Sequence, residues 1–359
     1  MSRTTSLGRA ALSALHYSGA DGLIAPLTRG AGVIFTLHHV RPAQSGAFEP
    51  NRVLKVTPDF LESVVGLVVR RGFDVLSLDQ LHSRLTEGDL DRPFACFTFD
   101  DGYRDTYEHA YPIFRRHNLP FAIYVATDFA DGRGDLWWLA LERLVSAATA
   151  IEVRMDGAFR QIACGTPAEK QSAFQRIYGW LRRIPEKDAR QTVAELCRVH
   201  DVDVASLCSD LVMGWDEIRE LASDPLVTIG AHTRRHYALA GLSIAEAQLE
   251  IEESVQRIEA EIGRPCRHFS FPYGDEASAG PREFELLREL GMWTAVTTRK
   301  SLIHARHSAV LTGLPRVSLN GEFQRARYVK VMLTGAPFAF WNMARWLWPR
   351  APGAAAAGY

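Results

Sequence analysis

Phe94-Ala95-Cys96-Phe97-Thr98-Phe99-Asp100-Asp101-Gly102 is the stretch from which the fold can be read. Six consecutive uncharged residues describe a strand buried on both faces, the kind that lies in a parallel sheet covered by helices. Two carboxylates and a glycine end it, and in α/β folds the loops after strands gather on the ligand-binding face. Similar apolar runs occur at 33–37, 73–76, 121–126, 226–229, 268–271, 293–296 and 314–318, alternating with helical patterns. Thr57, Pro58 and Asp59 open one helix, as N-cap, first helical residue and first-turn acid, and Gly72 closes it. Another helix covers 107–117, a Ser243/Glu246 capping box starts one that runs to about Ile262, and Pro281 opens one that Gly291 ends. The alternation predicts an α/β architecture around a mainly parallel sheet. The rhythm lapses over 132–221, which reads as a helical insertion anchored by Trp137, Trp138, Ile177, Tyr178 and Trp180, forming a lid or a wall.

Charge and composition narrow the function. Forty-one Lys and Arg nearly cancel 42 Asp and Glu among 359 residues, so no phosphate backbone is an expected partner and nucleic-acid binding is not anticipated. The five cysteines are irregularly spaced with no CxxC, which argues against a disulfide framework or a zinc cluster and for reduced thiols. Arg3 and Arg9 are followed by no clean apolar run, and no stretch reaches the roughly 20 apolar residues of a membrane span. A cytoplasmic location is expected. Residues 328–348 add one qualification. They mix Phe338, Phe340, Trp341, Trp346 and Trp348 with Lys330 and Arg345, and Arg350 follows, a pattern that suits a helix on the inner membrane face as well as one packed on the body of the protein.

Four segments could carry chemistry. At 98–102, Asp100 and Asp101 can divide labour between a cation and a proton; the plain alternative is a capped turn. After the strand at 226–229, His232 and His236 are four residues apart, the spacing at which a helical turn puts two imidazoles on one face for a metal. In Phe269-Ser270-Phe271-Pro272-Tyr273-Gly274-Asp275, the Pro and Gly fix a backbone path that could aim an amide N–H into a site, or simply make a turn. In Leu37-His38-His39-Val40 the two imidazoles point in different directions, so at most one serves the site.

Together these segments resemble the polysaccharide deacetylases of carbohydrate esterase family four, the NodB-homology group that includes chitooligosaccharide, peptidoglycan and poly-N-acetylglucosamine deacetylases. The resemblance covers roughly residues 31–320 and implies a distorted (β/α) barrel, usually seven-stranded, interrupted here by the insertion. It divides the chain into an N-terminal helical segment (1–30), two barrel parts (31–131 and 222–320) around the insertion (132–221), and a C-terminal amphipathic helix with a frayed tail (321–359). It also implies that Asp100 is the catalytic base, that Asp101, His232 and His236 hold a divalent metal (zinc, or else cobalt or nickel), and that the Tyr273 backbone N–H binds the oxyanion. The substrate implied is a glycan bearing N-acetylated amino sugars.

Two departures from the family stand out. Ser270 occupies the place where the family has an Arg that pairs with the base, and Arg316 is the candidate replacement. The late Leu-x-x-His-Asp block that carries the family's acid is missing, since His304 and His307 lie in a poor context; His39, on the early strand, is the expected acid instead. Competing expectations are an O-deacetylase, a deacetylase of a lipid-linked sugar, or a barrel that binds glycan without catalysis.

Overall fold

A computed structural model describes residues 3–43, 46 and 48–347. Seven parallel strands close into a barrel: β1 (Gly32–Leu37), β2 (Phe94–Phe99), β3 (Phe121–Val125), β4 (Val227–Ala231), β5 (His268–Ser270), β6 (Thr294–Lys300) and β7 (Leu314–Ser318). Each strand pairs with the next in sequence, and β7 returns to β1 through Phe35 opposite Val317. The run at 73–76 contributes only Asp74–Val75, which pairs with Phe94 and Ala95 at the start of β2 and stays outside the ring.

The side-chain alternation of the strands explains both the core and the site. Outward-facing Val33, Phe35, Leu37, Phe97, Phe99 and Ile123 join a core with the surrounding helices. Among those helices are Pro58–Arg70, with the Thr57 hydroxyl accepting from the Phe60 N–H, and Ile244–Ile262, which begins with the Ser243/Glu246 capping box. Inward-facing Ile34, Cys96, Ala122, Val296 and Leu314 fill one end of the barrel. Two residues further along their strands come Thr36, Thr98 and Arg316, all buried and polar, so the interior changes from hydrocarbon to hydrogen-bonding groups towards the strand ends. At Gly230, an added Cβ would lie 2.6 Å from the Tyr124 ring and 2.8 Å from the His268 carbonyl, so only glycine fits there.

Between β3 and β4 the chain builds a second core from Leu136, Trp137, Trp138, Leu141, Ile177 and Trp180, which also takes in Tyr103 and Tyr273. The segment is not only helical. Ala150–Met155 and Ala158–Ala163 pair as an antiparallel hairpin around Asp156 and Gly157, both with positive φ. Its first strand alternates buried and exposed positions, a period-2 signal hidden among the flanking helices. At the C-terminus the single expected helix is two, Ala326–Met332 and Ala336–Leu347, separated around Gly335 (φ 77°). Trp348, Arg350 and the expected frayed tail at 354–357 lie outside the described residues, as do the side chains of Arg345 and Trp346.

Candidate active site

Past the strand ends, a small cavity is lined by His38, Leu54, Asp100, Asp101, Trp138, His232, His236, Tyr273 and Thr298. Asp101 has a left-handed backbone (φ 72°), and Gly102 follows in the same region (φ 71°), so the chain turns sharply beneath two consecutive carboxylates. The two acids therefore meet different partners.

Asp100 faces Arg316, which is fully buried. Arg316 Nη1 donates to Asp100 Oδ1 at 2.8 Å and Nη2 to Oδ2 at 2.6 Å, a bidentate pair. The guanidinium is fixed in turn by Thr98 Oγ1 (3.0 Å), Ser270 Oγ (3.0 Å) and the Thr297 carbonyl (2.9 Å). Burial by itself would raise the Asp100 pKa, but the Arg316 charge and hydrogen bonds outweigh it and hold the carboxyl below its ordinary value. The small Ser270 hydroxyl thus sits where it contacts both partners, and the cation reaches Asp100 from β7.

Asp101 faces the two imidazoles. Its Oδ1 lies 3.3 Å from His232 Nε2 and 3.2 Å from His236 Nε2, and all three side chains are buried. One ligand atom from each falls within 4.8 Å of the others. His232 Nδ1 donates to the Ser270 carbonyl at 2.7 Å, which leaves Nε2 facing Asp101, as a donor to it when the ring is protonated and as a metal ligand when the ring is neutral. Burial would raise Asp101 too, yet its hydrogen bonds to His232 and His236 hold it well below the carboxylate range. At His232 the effect of burial is outweighed by the Asp101 hydrogen bond and the two carboxylate charges, and the pKa rises; at His236 burial prevails and it falls. Two buried imidazoles and one carboxylate fit a divalent cation with coordination positions to spare.

The route by which the imidazoles converge differs from the helical turn that their spacing suggested. Residues 232–237 are not helical; Thr233 (φ 62°) and His236 (φ 61°) are left-handed, and the Thr233 hydroxyl accepts the His236 N–H at 2.8 Å. An irregular turn, tied by a side chain, brings the rings to 4.8 Å between centroids.

At the end of β1, His38 lines the cavity and the expected His39 does not. Turned away, His39 Nδ1 lies 2.7 Å from Asp105 Oδ2, and its ring stacks on Tyr103 at 3.6 Å. Asp105 also accepts the Val40 N–H at 3.1 Å, so His39 and Asp105 together anchor the strand end from which His38 projects. Burial lowers the His38 pKa, opposed by the nearby Asp101 and Asp100 charges. Tyr273 is left-handed (φ 61°), as is Gly274 (φ 64°), where an added Cβ would sit 2.7 Å from the Thr298 amide nitrogen. The Tyr273 hydroxyl accepts from Trp137 Nε1 (2.9 Å) and donates to Glu186 Oε1 (2.9 Å).

Glu186 and Arg190 were not anticipated. They pair at 2.7 Å on the helix Glu186–Val199, and Arg190 also donates to the His236 carbonyl at 3.0 Å. In sequence an i,i+4 acid–base pair looks like any solvated helix face. Only the packing of the insertion over the barrel makes it a brace for the His236 and Tyr273 loops.

The sequence model of the polysaccharide deacetylase family matches residues 87–160 and 169–293, more than half the chain, including Asp100, Asp101, His232 and His236 but neither His38 nor Arg316. No curated protein matches in sequence. Among solved structures, the Streptococcus pyogenes deacetylase PplD in complex with acetate superposes with a TM-score of 0.56 at 15% identity, covering 84% of this chain and 97% of that one. IcaB from Ammonifex degensii gives 0.51 at 16% identity (85% and 97% covered), and a de-N-acetylase from Aggregatibacter actinomycetemcomitans 0.51 at 15% (84% and 99%). At such identities the likeness is one of fold. The family match, the closed seven-stranded barrel and the Asp-His-His cluster lead to one conclusion: the chain belongs to the polysaccharide deacetylase family, whose members remove acetyl groups from sugar polymers.

Proposed function

We propose that the chain is a metal-dependent N-deacetylase acting on N-acetylglucosamine-type residues of a glycan. One observation carries the reading: the Asp101–His232–His236 cluster and the Arg316-held carboxylate of Asp100 border the same cavity. A divalent cation held by the cluster, zinc or else cobalt or nickel, would polarise the acetyl carbonyl and lower the pKa of a water, towards about 7 in favourable zinc sites.

The chain's own groups supply the rest. Asp100, ionised through its pair with Arg316, takes a proton as water attacks the carbonyl carbon. The Tyr273 backbone N–H is assigned to the oxyanion, a donor of a kind worth about 2.7–4 kcal/mol. When the C–N bond breaks, His38 in its protonated form, which the Asp101 and Asp100 charges favour, delivers its proton to the nitrogen, because an amide anion is too poor a leaving group. His38 takes this role in place of His39 because it borders the cavity, whereas His39 is engaged by Asp105. The products are acetate and a free amine.

Metal titration of the chelated protein, coupled to acetate and amine release from N-acetylglucosamine oligomers, tests the reading. Acetate without new amine would point to ester substrates, and cation binding without acetate release to a glycan-binding barrel.

A further inference from the structure

Beside the start of β1, the terminal helices leave an apolar surface uncovered. On the helix Ala20–Thr28, Leu23 and Leu27 are one turn apart on the same face and are 83% and 89% exposed. The helix Ala336–Leu347 packs against it and exposes Phe340 and Trp341 by 42% and 48%. The two helices are tied by the Thr28 hydroxyl, which donates to the Thr334 carbonyl at 2.7 Å, and by close contact of Gly335 with the Thr28 carbonyl. Single exposed leucines are ordinary, but four large apolar side chains on two adjoining helices form a patch. Its position follows from the chain path. The Ala31 N–H bonds the Ile303 carbonyl at 2.7 Å just before β1 begins, whereas Asp100, Asp101 and His232 directly follow strand ends.

Charge identifies what would cover this surface. Residues 1–30 and 321–359 hold eight Lys and Arg against two acids, while the rest of the chain holds 33 against 40. Both acids are occupied: Asp21 is buried, and Glu322 pairs with Arg9 at 3.7 Å. Beside the patch a groove of about 480 Å³ has an apolar wall of Leu27, Leu302 and Phe338 and a polar lip of Ser301, His304 and Arg306. Lys300 lies 5.4 Å from the Trp341 ring centroid. Apolar and aromatic side chains with basic groups around them match the boundary of an anionic bilayer. No described helix is long and apolar enough to cross one.

We propose that this face docks the protein on an anionic phospholipid surface. Leu23, Leu27, Phe340 and Trp341 enter the headgroup boundary, Arg306 meets a lipid phosphate, and none of these residues lines the catalytic cavity. Each basic group near such a surface adds roughly a fivefold preference at low salt, so anionic and neutral vesicles should differ by more than about tenfold.

The test is co-sedimentation of the full chain with phosphatidylcholine vesicles, with and without phosphatidylglycerol, beside a Leu23→Ser/Leu27→Ser variant and an Arg306→Gln variant. The full chain should pellet with the anionic vesicles and be released by salt. The double serine variant should lose about tenfold or more in binding while keeping its unfolding temperature and its acetate release from soluble oligomers. Arg306→Gln should weaken binding to the anionic vesicles only. Failure of the full chain to pellet with anionic vesicles, equal pelleting with neutral ones, or undiminished binding by the double variant would each overturn the proposal. A dimer that the serine substitutions dissociate, with no vesicle binding, would also overturn it by assigning the face to a second copy of the chain.

Discussion

Replacing Arg316 with methionine keeps most of the side chain's volume but leaves Asp100, itself only 2% exposed, without its cationic partner. Breaking a buried pair by removing one member costs about 3–5 kcal/mol. For a chain of this length that is a fall of about 4–7 °C in the unfolding temperature. The pH dependence is more diagnostic. With Arg316 present, the Asp100 carboxyl lies below its ordinary 3.8, so the pair stabilises the fold above that value and is lost as pH falls through the lowered pKa. Without the guanidinium, burial dominates and pushes the carboxyl upwards, so the sign reverses and the ionised form destabilises the fold. The stability deficit of Arg316→Met should therefore widen from about pH 5 to about pH 8. Acetate release at neutral pH should drop by about 10²–10⁴, the usual contribution of a general base, and its acid limb should move to higher pH. Arg316→Met/Asp100→Asn should recover much of the stability and none of the turnover. Differential scanning calorimetry and pH–rate profiles read both effects. A deficit independent of pH, together with an unmoved acid limb, would refute the view that Arg316 sets the charge of Asp100.

Four further outcomes follow from the same geometry. His38→Ala should lose about 10²–10⁴ in turnover of N-acetyl substrates but much less on an activated acetate ester, whose leaving group needs no proton; equal losses on both would remove His38 as the acid. His39→Ala should mainly cost stability, about 1–3 kcal/mol, because Asp105 remains buried without its imidazole; loss of turnover in a normally stable variant would return the acid role to His39. His232→Ala should lose both metal and turnover while Asp100→Asn keeps metal and loses turnover, as read by metal analysis after dialysis; metal retained by His232→Ala would rule it out as a ligand. Metal affinity should also fall as pH drops through the raised His232 pKa, by up to about tenfold per unit for each proton displaced, in a calorimetric titration.

Much of this arrangement could be read from the sequence because strand ends announce themselves. The buried runs before Asp100, His232 and Ser270 have no charges to break them, and period-2 alternation decides which side chains turn inward. The short run at 73–76 looked like the others because composition does not distinguish a ring strand from a two-residue pairing beside it. The choice between His38 and His39 was the harder one. Adjacent residues on a strand point oppositely, but which one points into the cavity depends on register, and that is fixed by pairing across the sheet and by Asp105, 66 residues away. The convergence of His232 and His236 was legible as a pair, but its means was not: left-handed backbone at Thr233 and His236 carries no compositional mark. Nor did the insertion disclose that Glu186 and Arg190 would brace loops belonging to the barrel.

The left-handed kink at Asp101 has an evolutionary implication. Two acids joined by a single peptide bond would be expected to share their partners; here the closest contacts divide, Arg316 for one and the imidazoles for the other. Replacing the first leaves the second's contacts with the imidazoles in place. A descendant that mutated only Asp100 would retain its Asp-His-His cluster and its cavity walls, so a barrel that only binds lies one codon away from one that hydrolyses.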